Sequence, residues 1–286
     1  MRIVVPASSA NLGPGFDALG MALGLHAELW LETESWREPR ARPVEPTHPA
    51  MVAFRAAGGQ GGLRLRCPIP SGRGMGFSGA VRVAGVVAAH LQASGPDQAA
   101  FDAHRGRLLA IAADLEGHAD NVAASMYGGV TVAAGGIVQR VPLGLDAAVV
   151  AWVPDSGSTS TDASRSRLPA QVDFEAAVFN VGRTALLVAA LAAGNRAALG
   201  IATEDQLHQD NRLGRAAGSA DALRAALASP AWAAWLSGSG PTVVALCDPA
   251  DSAAVAAALP STGRAMTLRI DQLGARIVMP TASSAG

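Results

Sequence analysis

The sequence predicts an α+β fold, on three observations. Short alternating or apolar runs, typical of strands, and longer runs with helical periodicity both occur along the chain. These runs do not follow one another in a regular strand–helix alternation, which argues against a doubly wound parallel sheet. The chain has 286 residues, and this length is enough for two domains of ordinary size.

The individual elements follow from local patterns. Residues 63–67 alternate apolar and basic side chains, as in a half-buried strand, and Pro96 and Asp97 suit the first turn of a helix. The proline-rich run at 35–49 and the Ser/Thr-rich run at 156–166 are predicted loops. Strands are predicted at 2–5, 25–33, 63–67, 130–132, 149–153, 243–247, 264–270 and 275–279, and helices at 51–57, 81–91, 96–115, 122–127, 173–193, 204–215, 219–228 and 249–258.

Composition excludes several function classes. The formal net charge is −1, so no electrostatic argument favours a nucleic acid or an anionic membrane as partner. All 22 basic residues are arginines. The absence of lysine excludes a P-loop kinase, a protein kinase and any Schiff-base enzyme, because each needs a lysine. If the protein binds phosphate, backbone amides, a metal ion and arginines must neutralise it.

Cysteine usage and hydropathy predict the compartment. Cys67 and Cys247 are far apart and isolated, which favours two buried thiols in a reducing cytoplasm over a disulfide framework or a metal site. The first residues do not resemble a secretory signal. No apolar run of membrane-spanning length is free of Gly, Arg or Asp. We therefore expect a soluble, cytoplasmic protein.

Three glycine- and serine-rich loops, at 8–17, 70–80 and 237–242, each lie beside a predicted strand end. The loop at 70–80 stands between a strand and a helix, where unpaired N–H groups and the positive end of the helix dipole attract anions. An ordinary glycine turn is the alternative for one loop, but three such loops favour phosphate binding. The predicted nucleotide-binding residues are Pro70, Ser71, Gly72, Arg73, Gly74, Met75, Gly76, Phe77, Ser78, Gly79 and Ala80.

Four motifs resemble those of homoserine kinases, a family of the GHMP kinase superfamily. They are ASSANLGPGFDALGMAL from residue 7, the glycine loop after a proline, EGHADN from residue 116 and LSGSGPT from residue 236. The resemblance runs from Val4 to about Val278. It implies an N-terminal domain like domain 2 of ribosomal protein S5 over 1–148 and a ferredoxin-like C-terminal domain over 149–286. It also implies transfer of the γ-phosphoryl group of ATP, with Mg²⁺, to the side-chain hydroxyl of L-homoserine, a step of threonine biosynthesis.

The same resemblance implies roles for single residues. Asn11, Asp17 and His118 would contact the substrate, and Arg183 and Arg212 would bind its carboxylate through paired guanidinium hydrogen bonds. A homodimer is also implied.

Three further residues concern the metal and the proton. Ser78 and Glu116 offer the hard oxygen ligands that Mg²⁺ prefers, with Glu116 also taking part in catalysis. Asp120 would act as a base on the substrate hydroxyl, or would cap the helix that follows it. The residues leave this choice open.

The glycine loop departs from the family pattern Gly-Leu-Gly-Ser-Ser-Ala. Phe77 takes the place of a serine and Gly79 that of an alanine. In one reading backbone amides still hold the phosphates and Phe77 packs under the loop; in the other, phosphate or metal binding is weakened. Two alternatives to a homoserine kinase therefore stay open: a GHMP kinase for another small alcohol, and a non-catalytic protein of the same fold that binds a ligand.

Overall fold

The computed structural model describes residues 1–32, 39–159 and 161–279, and it confirms the predicted α+β class. The strands and helices are β1 (Arg2–Ala10), β2 (Leu19–Leu31), β3 (Arg42–Pro43), α1 (Pro49–Ala56), β4 (Leu63–Arg66), α2 (Phe77–Ser94), α3 (Gln98–Glu116), α4 (Asp120–Tyr127), β5 (Val130–Ala134), β6 (Ile137–Val141), β7 (Ala148–Pro154), α5 (Thr161–Arg165), α6 (Phe174–Ala193), α7 (Arg196–Ala202), α8 (Gln209–Leu213), α9 (Ala217–Leu227), β8 (Ala233–Leu236), β9 (Val243–Cys247), α10 (Ser252–Ala258), β10 (Gly263–Arg269) and β11 (Arg276–Val278).

The first sheet has the strand order β11-β1-β2-β4-β3, and β5 and β6 continue it from β2. The 13-residue strand β2 organises this sheet, because β1 pairs along most of one edge while β4 and β5 pair with the two ends of the other edge. Buried alanines and valines of α2 and α4 belong to the same core as the strands β1 and β2. This small-residue core agrees with an aromatic content of only 4%.

The second sheet has the order β10-β7-β9-β8. On one side a small cluster joins it to α9 and α10 through Ala226 and Val255. On the other side Trp235 and Leu246 belong to the large core of the first sheet, together with Leu187 of α6. The two sheets are therefore joined by one continuous hydrophobic core.

Several element boundaries differ from the sequence expectation. Strand β1 reaches Ala10 instead of residue 5, because Ser8 and Ser9 are fully buried while pairing with β2. The helix expected over 204–215 is only α8, and a short helix, α5, lies within the expected loop 156–166. Strand β6 was not expected, since its five residues, IVQRV, are mostly exposed and do not alternate apolar and polar side chains.

Two further points concern the ends of predicted segments. Strand β11, near the chain end, pairs with β1 in the first sheet rather than with the second. The predicted strand end at 33, the predicted loop before residue 39, residue 160 of the predicted Ser/Thr-rich loop and residues 280–286 of the predicted C-terminal domain lie outside the described residues. The proposed domain boundary at residues 148 and 149 falls at the first two residues of β7 and stays a prediction.

Helix α6 has the length and apolar composition of a membrane span, and 22% of its most apolar 18-residue stretch is buried in the protein. Its sequence includes Glu175 and Arg183, and it packs on the core through Leu187 and Leu191. The described cysteines, Cys67 and Cys247, are both free thiols, and burial raises the pKa of each to about 11. At neutral pH both are therefore protonated and poorly nucleophilic.

Candidate active site

A cleft of about 260 Å³ opens where the three glycine-rich loops meet. All but three of the residues predicted for the site line it: Asn11, Asp17, the loop 70–78, Glu116, His118, Asp120 and Arg212. Arg165, Thr159 and Ser239 complete the wall on the side of the second sheet. The cleft therefore lies between the two sheets and is built from both.

Hydrogen bonds join the three loops directly to one another. Most of them use backbone groups, so the positions of the loops do not depend on long, flexible side chains. Trp235 of β8 adds a buried bond from its indole Nε1 to Ser9 Oγ at 2.9 Å. The loop-to-loop bonds run from Ser8 N to Met75 O (3.2 Å), from Ser237 Oγ to Gly74 O (2.6 Å), from Gly238 N to Ala10 O (3.2 Å) and from Thr242 N to Arg73 O (3.2 Å).

The first loop holds three non-glycine residues at positive φ: Asn11 (71°), Leu12 (49°) and Asp17 (58°). Such conformations cost about 1–3 kcal/mol each and persist only where surrounding contacts impose them. Here Asn11 supplies those contacts, since its Nδ2 donates to Gly238 O at 3.2 Å and its Oδ1 accepts from Asp17 N at 3.1 Å. The loop thus directs the Asp17 carboxylate into the cleft at a cost in backbone strain.

The second loop ends in the N-terminus of α2. Gly76 precedes that helix in a left-handed conformation and supplies no side-chain cap. The first N–H groups of a helix have no partner within it, so they and the helix dipole are available to an anion. Phe77 is half-buried against the core, with its ring edge-on to His48 at 5.9 Å. The ring therefore packs beside the loop and also lines the cleft, and both readings of this residue stay predictions.

His118 and Asp120 form a partly buried pair at the start of α4. His118 Nδ1 lies 2.8 Å from Asp120 Oδ1, which also accepts from Asn121 N. Burial would lower the pKa of His118, but its hydrogen bond to Asp120 and the nearby carboxylates outweigh burial and raise it. Gly20 of β2 permits this placement, because a Cβ there would lie 2.3 Å from Asp120 O.

Glu116, Ser78 and Arg82 form the next cluster. Ser78 Oγ donates to Glu116 Oε2 at 2.8 Å, and Arg82 Nη1 lies 2.5 Å from the same oxygen and also bonds to Ser78 Oγ. Burial raises the pKa of Glu116, and Arg82 and Ser78 oppose this rise. Both oxygens predicted to bind Mg²⁺ are thus bound to a guanidinium. With Arg82 in this position the pair does not fit a divalent cation.

Two arginines face the first loop. Arg165 of α5 holds the Asp17 carboxylate with two bonds of 2.7 and 2.6 Å. Arg212 of α8 donates from Nη1 to Gly238 O at 2.8 Å and to His208 Nδ1 at 3.1 Å. Its buried Nε has no hydrogen-bond partner among the described residues, and a buried donor of that kind is one that a ligand carboxylate would satisfy.

His208 fixes the orientation of Arg212. Its Nε2 lies 2.8 Å from Gly13 O, so this nitrogen carries the proton and Nδ1 is left to accept from the arginine. Burial lowers the pKa of His208. A neutral imidazole at this position is what the arginine contact requires.

Three predicted site residues lie outside the cleft. Arg183 is paired with Glu204 at 2.9 Å and lies over the Phe179 ring at 4.4 Å. Gly79 and Ala80 are buried in the first turn of α2.

Sequence reasoning missed Arg82 and Arg165. Arg82 had a usable signal, because it is a charged residue in an apolar helical run, four positions after Ser78. Arg165 had none, since it lies in a segment that was expected to be a loop.

Comparisons with known proteins give matches in both halves of the chain. Family models described as GHMP kinases N terminal domain and GHMP kinases C terminal match residues 47–129 and 187–265. A homoserine kinase of Moorella thermoacetica is 38% identical over 286 residues, covering 93% of this chain and 94% of its own. A homoserine kinase of Leifsonia xyli is 39% identical, covering 97% of this chain and 91% of its own.

Solved structures show the same fold. Homoserine kinase from Cytophaga hutchinsonii superposes with a TM-score of 0.81 at 24% identity, covering 97% of each chain. Mevalonate kinase from Methanococcus jannaschii superposes with a TM-score of 0.66 at 12% identity, covering 94% of this chain and 98% of its own. The fold expected from the four motifs is therefore confirmed.

The close packing of the glycine-rich loops can be tested by substituting two of their glycines. Gly74 and Gly72 both have positive φ, so alanine at either costs about 1–2 kcal/mol in backbone strain. At Gly74 the new Cβ would also lie 2.3 Å from Ser237 O, whereas at Gly72 its nearest neighbour is Ser158 Cβ at 3.4 Å. We expect Gly74→Ala to lower the free energy of unfolding by at least about 1 kcal/mol more than Gly72→Ala, the usual size of an overpacking penalty. Urea unfolding measures both, and equal losses would contradict the close packing of the loops.

The raised pKa of His118 predicts a pH dependence of stability. The unfolded pKa is about 6.5, and the folded pKa is higher. The stabilisation by protonated His118 is therefore fully present below the unfolded pKa and is lost as pH rises through the folded one. We expect the stability difference between the wild type and His118→Gln to shrink between pH 6 and pH 9 in urea unfolding. In an Asp120→Asn background most of this change should disappear, and a difference that grew with pH would refute the assignment.

Proposed function

The chain belongs to the GHMP kinase family, and we propose that it phosphorylates the side-chain hydroxyl of L-homoserine with ATP for threonine biosynthesis. The observation that carries the proposal is one cleft that combines a phosphate-binding helix N-terminus with a carboxylate and two arginines. The first part suits the triphosphate of ATP. The second suits an amino acid, which brings an ammonium and a carboxylate.

The substrate would be bound by charge complementarity. The ammonium group of homoserine would bind the Asp17 carboxylate, which Asn11 orients through the Asp17 backbone N–H. Its carboxylate would bind Arg212, whose buried Nε lacks a partner among the described residues, and Arg165. In the homoserine complex each charged group of the substrate would meet an opposite charge.

The chemical step needs positioning and charge stabilisation more than covalent catalysis. The homoserine hydroxyl oxygen forms a bond to the γ-phosphorus, the bond from that phosphorus to the β–γ bridging oxygen breaks, and ADP leaves with the electron pair. Asp120 would take the hydroxyl proton. Its Oδ1 is engaged by His118 and Asn121, while its Oδ2 accepts no hydrogen bond from a described residue. His118 would hold the Asp120 carboxylate in position through its contact with Oδ1.

Magnesium enters this proposal only as the counter-ion that ATP brings with it, because Ser78 and Glu116 are bound to Arg82. Arg183 as a carboxylate ligand, a homodimer, the absence of nucleic-acid and membrane partners, and a cytoplasmic location stay predictions.

One assay separates the proposed function from its alternatives. Purified protein with MgATP is tested for ADP release with homoserine, threonine, serine, mevalonate or no acceptor. We expect turnover with homoserine. Turnover with mevalonate alone would instead indicate a kinase for another alcohol. Thermal stabilisation by homoserine or ATP without any ADP release would favour the non-catalytic binding protein.

A second measurement tests the carboxylate site. Arg212→Ala should raise the KM for homoserine by about 10- to 100-fold, since a hydrogen bond to a charged group contributes about 1.5–3 kcal/mol. Arg196→Ala is the matched control, because Arg196 is also ion-paired and lies over the Trp232 ring, outside the cleft. Arg183→Ala in the same assay decides the expectation for that residue. An unchanged KM in Arg212→Ala would refute the role of Arg212.

A further inference from the structure

Arg82 occupies an unusual position in the cluster behind the phosphate loop. It lies on α2 one turn after Ser78, and its Nη1 contacts both Ser78 Oγ and Glu116 Oε2. Ser78 and Glu116 line the cleft, whereas Arg82 is not part of the lining. The arginine therefore lies behind the two oxygens and can act on a ligand in the cleft only through them or through its charge.

This ion pair is not an ordinary surface pair. The Arg82 and Glu116 side chains are only 19% and 9% exposed. In such surroundings an ionised carboxylate without a partner would lose most of its hydration, and Arg82 Nη1 is the cation that Glu116 Oε2 contacts. Removing one partner of a buried pair leaves an uncompensated charge, which is costly. Either Arg82 or another cation is needed beside Glu116.

A divalent cation bound to Ser78 Oγ and Glu116 Oε2 would compete with Arg82 Nη1, which contacts both of these atoms. Mg²⁺ requires short contacts to its oxygen ligands, and Ser78 Oγ and Glu116 Oε2 already meet at 2.8 Å around that nitrogen. Two cations sharing one carboxylate oxygen would also repel each other. The guanidinium and a protein-bound metal ion therefore compete for these two oxygens.

We propose that Arg82 is a built-in cation that replaces a protein-bound divalent metal ion at Ser78 and Glu116. The proposal rests on the proposed ATP-dependent function and gives the nucleotide site its cation. Arg82 is a positioning residue: it is paired with Glu116, contacts Ser78 Oγ and adds a fixed positive charge behind the phosphate loop. Its charge is felt across the wall of the cleft, since it contributes to lowering the pKa of His48, after burial. Nucleotide binding by this chain depends on Mg²⁺ only through the ion that travels with the phosphates.

The first test measures metal binding without nucleotide or acceptor. Mn²⁺ is titrated into the full chain and the free ion is followed by electron paramagnetic resonance. We expect no tight site in the wild type, one site in Arg82→Met, and loss of that site in Arg82→Met with Glu116→Gln. Arg82→Lys should resemble the wild type, because it keeps the charge. Arg105→Met is the matched control, since Arg105 is 15% exposed and is also paired with a carboxylate.

The second test measures ATP affinity in EDTA and in Mg²⁺. For Arg82→Met the Kd in EDTA divided by the Kd in Mg²⁺ should be at least about tenfold larger than for the wild type, which corresponds to about 1.4 kcal/mol. For Arg82→Lys and Arg105→Met this ratio should stay within about threefold of the wild-type ratio.

The proposal is overturned if the wild type binds Mn²⁺ as tightly as Arg82→Met and loses it in Glu116→Gln. It is overturned equally if Arg82→Met gains neither a metal site nor a larger Kd ratio. If Arg82→Met does not fold, Mn²⁺ binding by the wild type, Glu116→Gln and Arg82→Lys still tests the proposal. Failure to phosphorylate homoserine would remove the proposed substrate but would leave the Mn²⁺ result unchanged, so the two failures are distinguishable.

Discussion

The hydrogen bonds that join the three glycine-rich loops are the constraint on which the site depends. The bonds of Ser237 to Gly74 and Ser9 connect a loop of the second sheet to the other two loops. These groups are buried, so each would cost free energy if it lost its partner. A shift of one sheet relative to the other would break several of these bonds together. The network therefore fixes the distance between the phosphate loop and the arginines on the opposite wall.

A core of small residues makes this close fit possible. With few aromatic side chains, α4 can approach β2 so closely that Gly20 faces the Asp120 carbonyl. Trp235, one of the largest fully buried side chains, belongs to the core that joins the two sheets. Trp235 both fills that space and donates to Ser9. Packing and polar contacts thus fix the same joint, and the positions of His118 and Asp120 follow from it.

The sequence predicted those parts of the site that lie in one continuous segment. The loop 70–78 offers backbone groups of one short segment, and residues 116–120 place an acid, an imidazole and a second acid at every second position. Arg165 could not be predicted in this way, because its role depends on Asp17, 148 positions away. Among many arginines, only the fold distinguishes Arg165, which faces the cleft, from Arg183, which is paired with Glu204. Strand β6 was missed for a related reason. Its sequence, IVQRV, does not alternate apolar and polar side chains, and it is a strand because it pairs with β5.

The charge pattern of the cleft also bears on which substrate it selects. Asp17 is paired with Arg165, and both side chains are partly exposed, so separating the two costs little free energy when a ligand gives each of them a new partner. A zwitterion satisfies both residues at once, because its ammonium can replace the guanidinium beside Asp17 while its carboxylate takes the arginines. A neutral alcohol offers neither charge, and a carboxylate without an ammonium leaves Asp17 unpaired. Charge complementarity in the cleft therefore favours an amino acid over a neutral alcohol and over a carboxylate without an ammonium group.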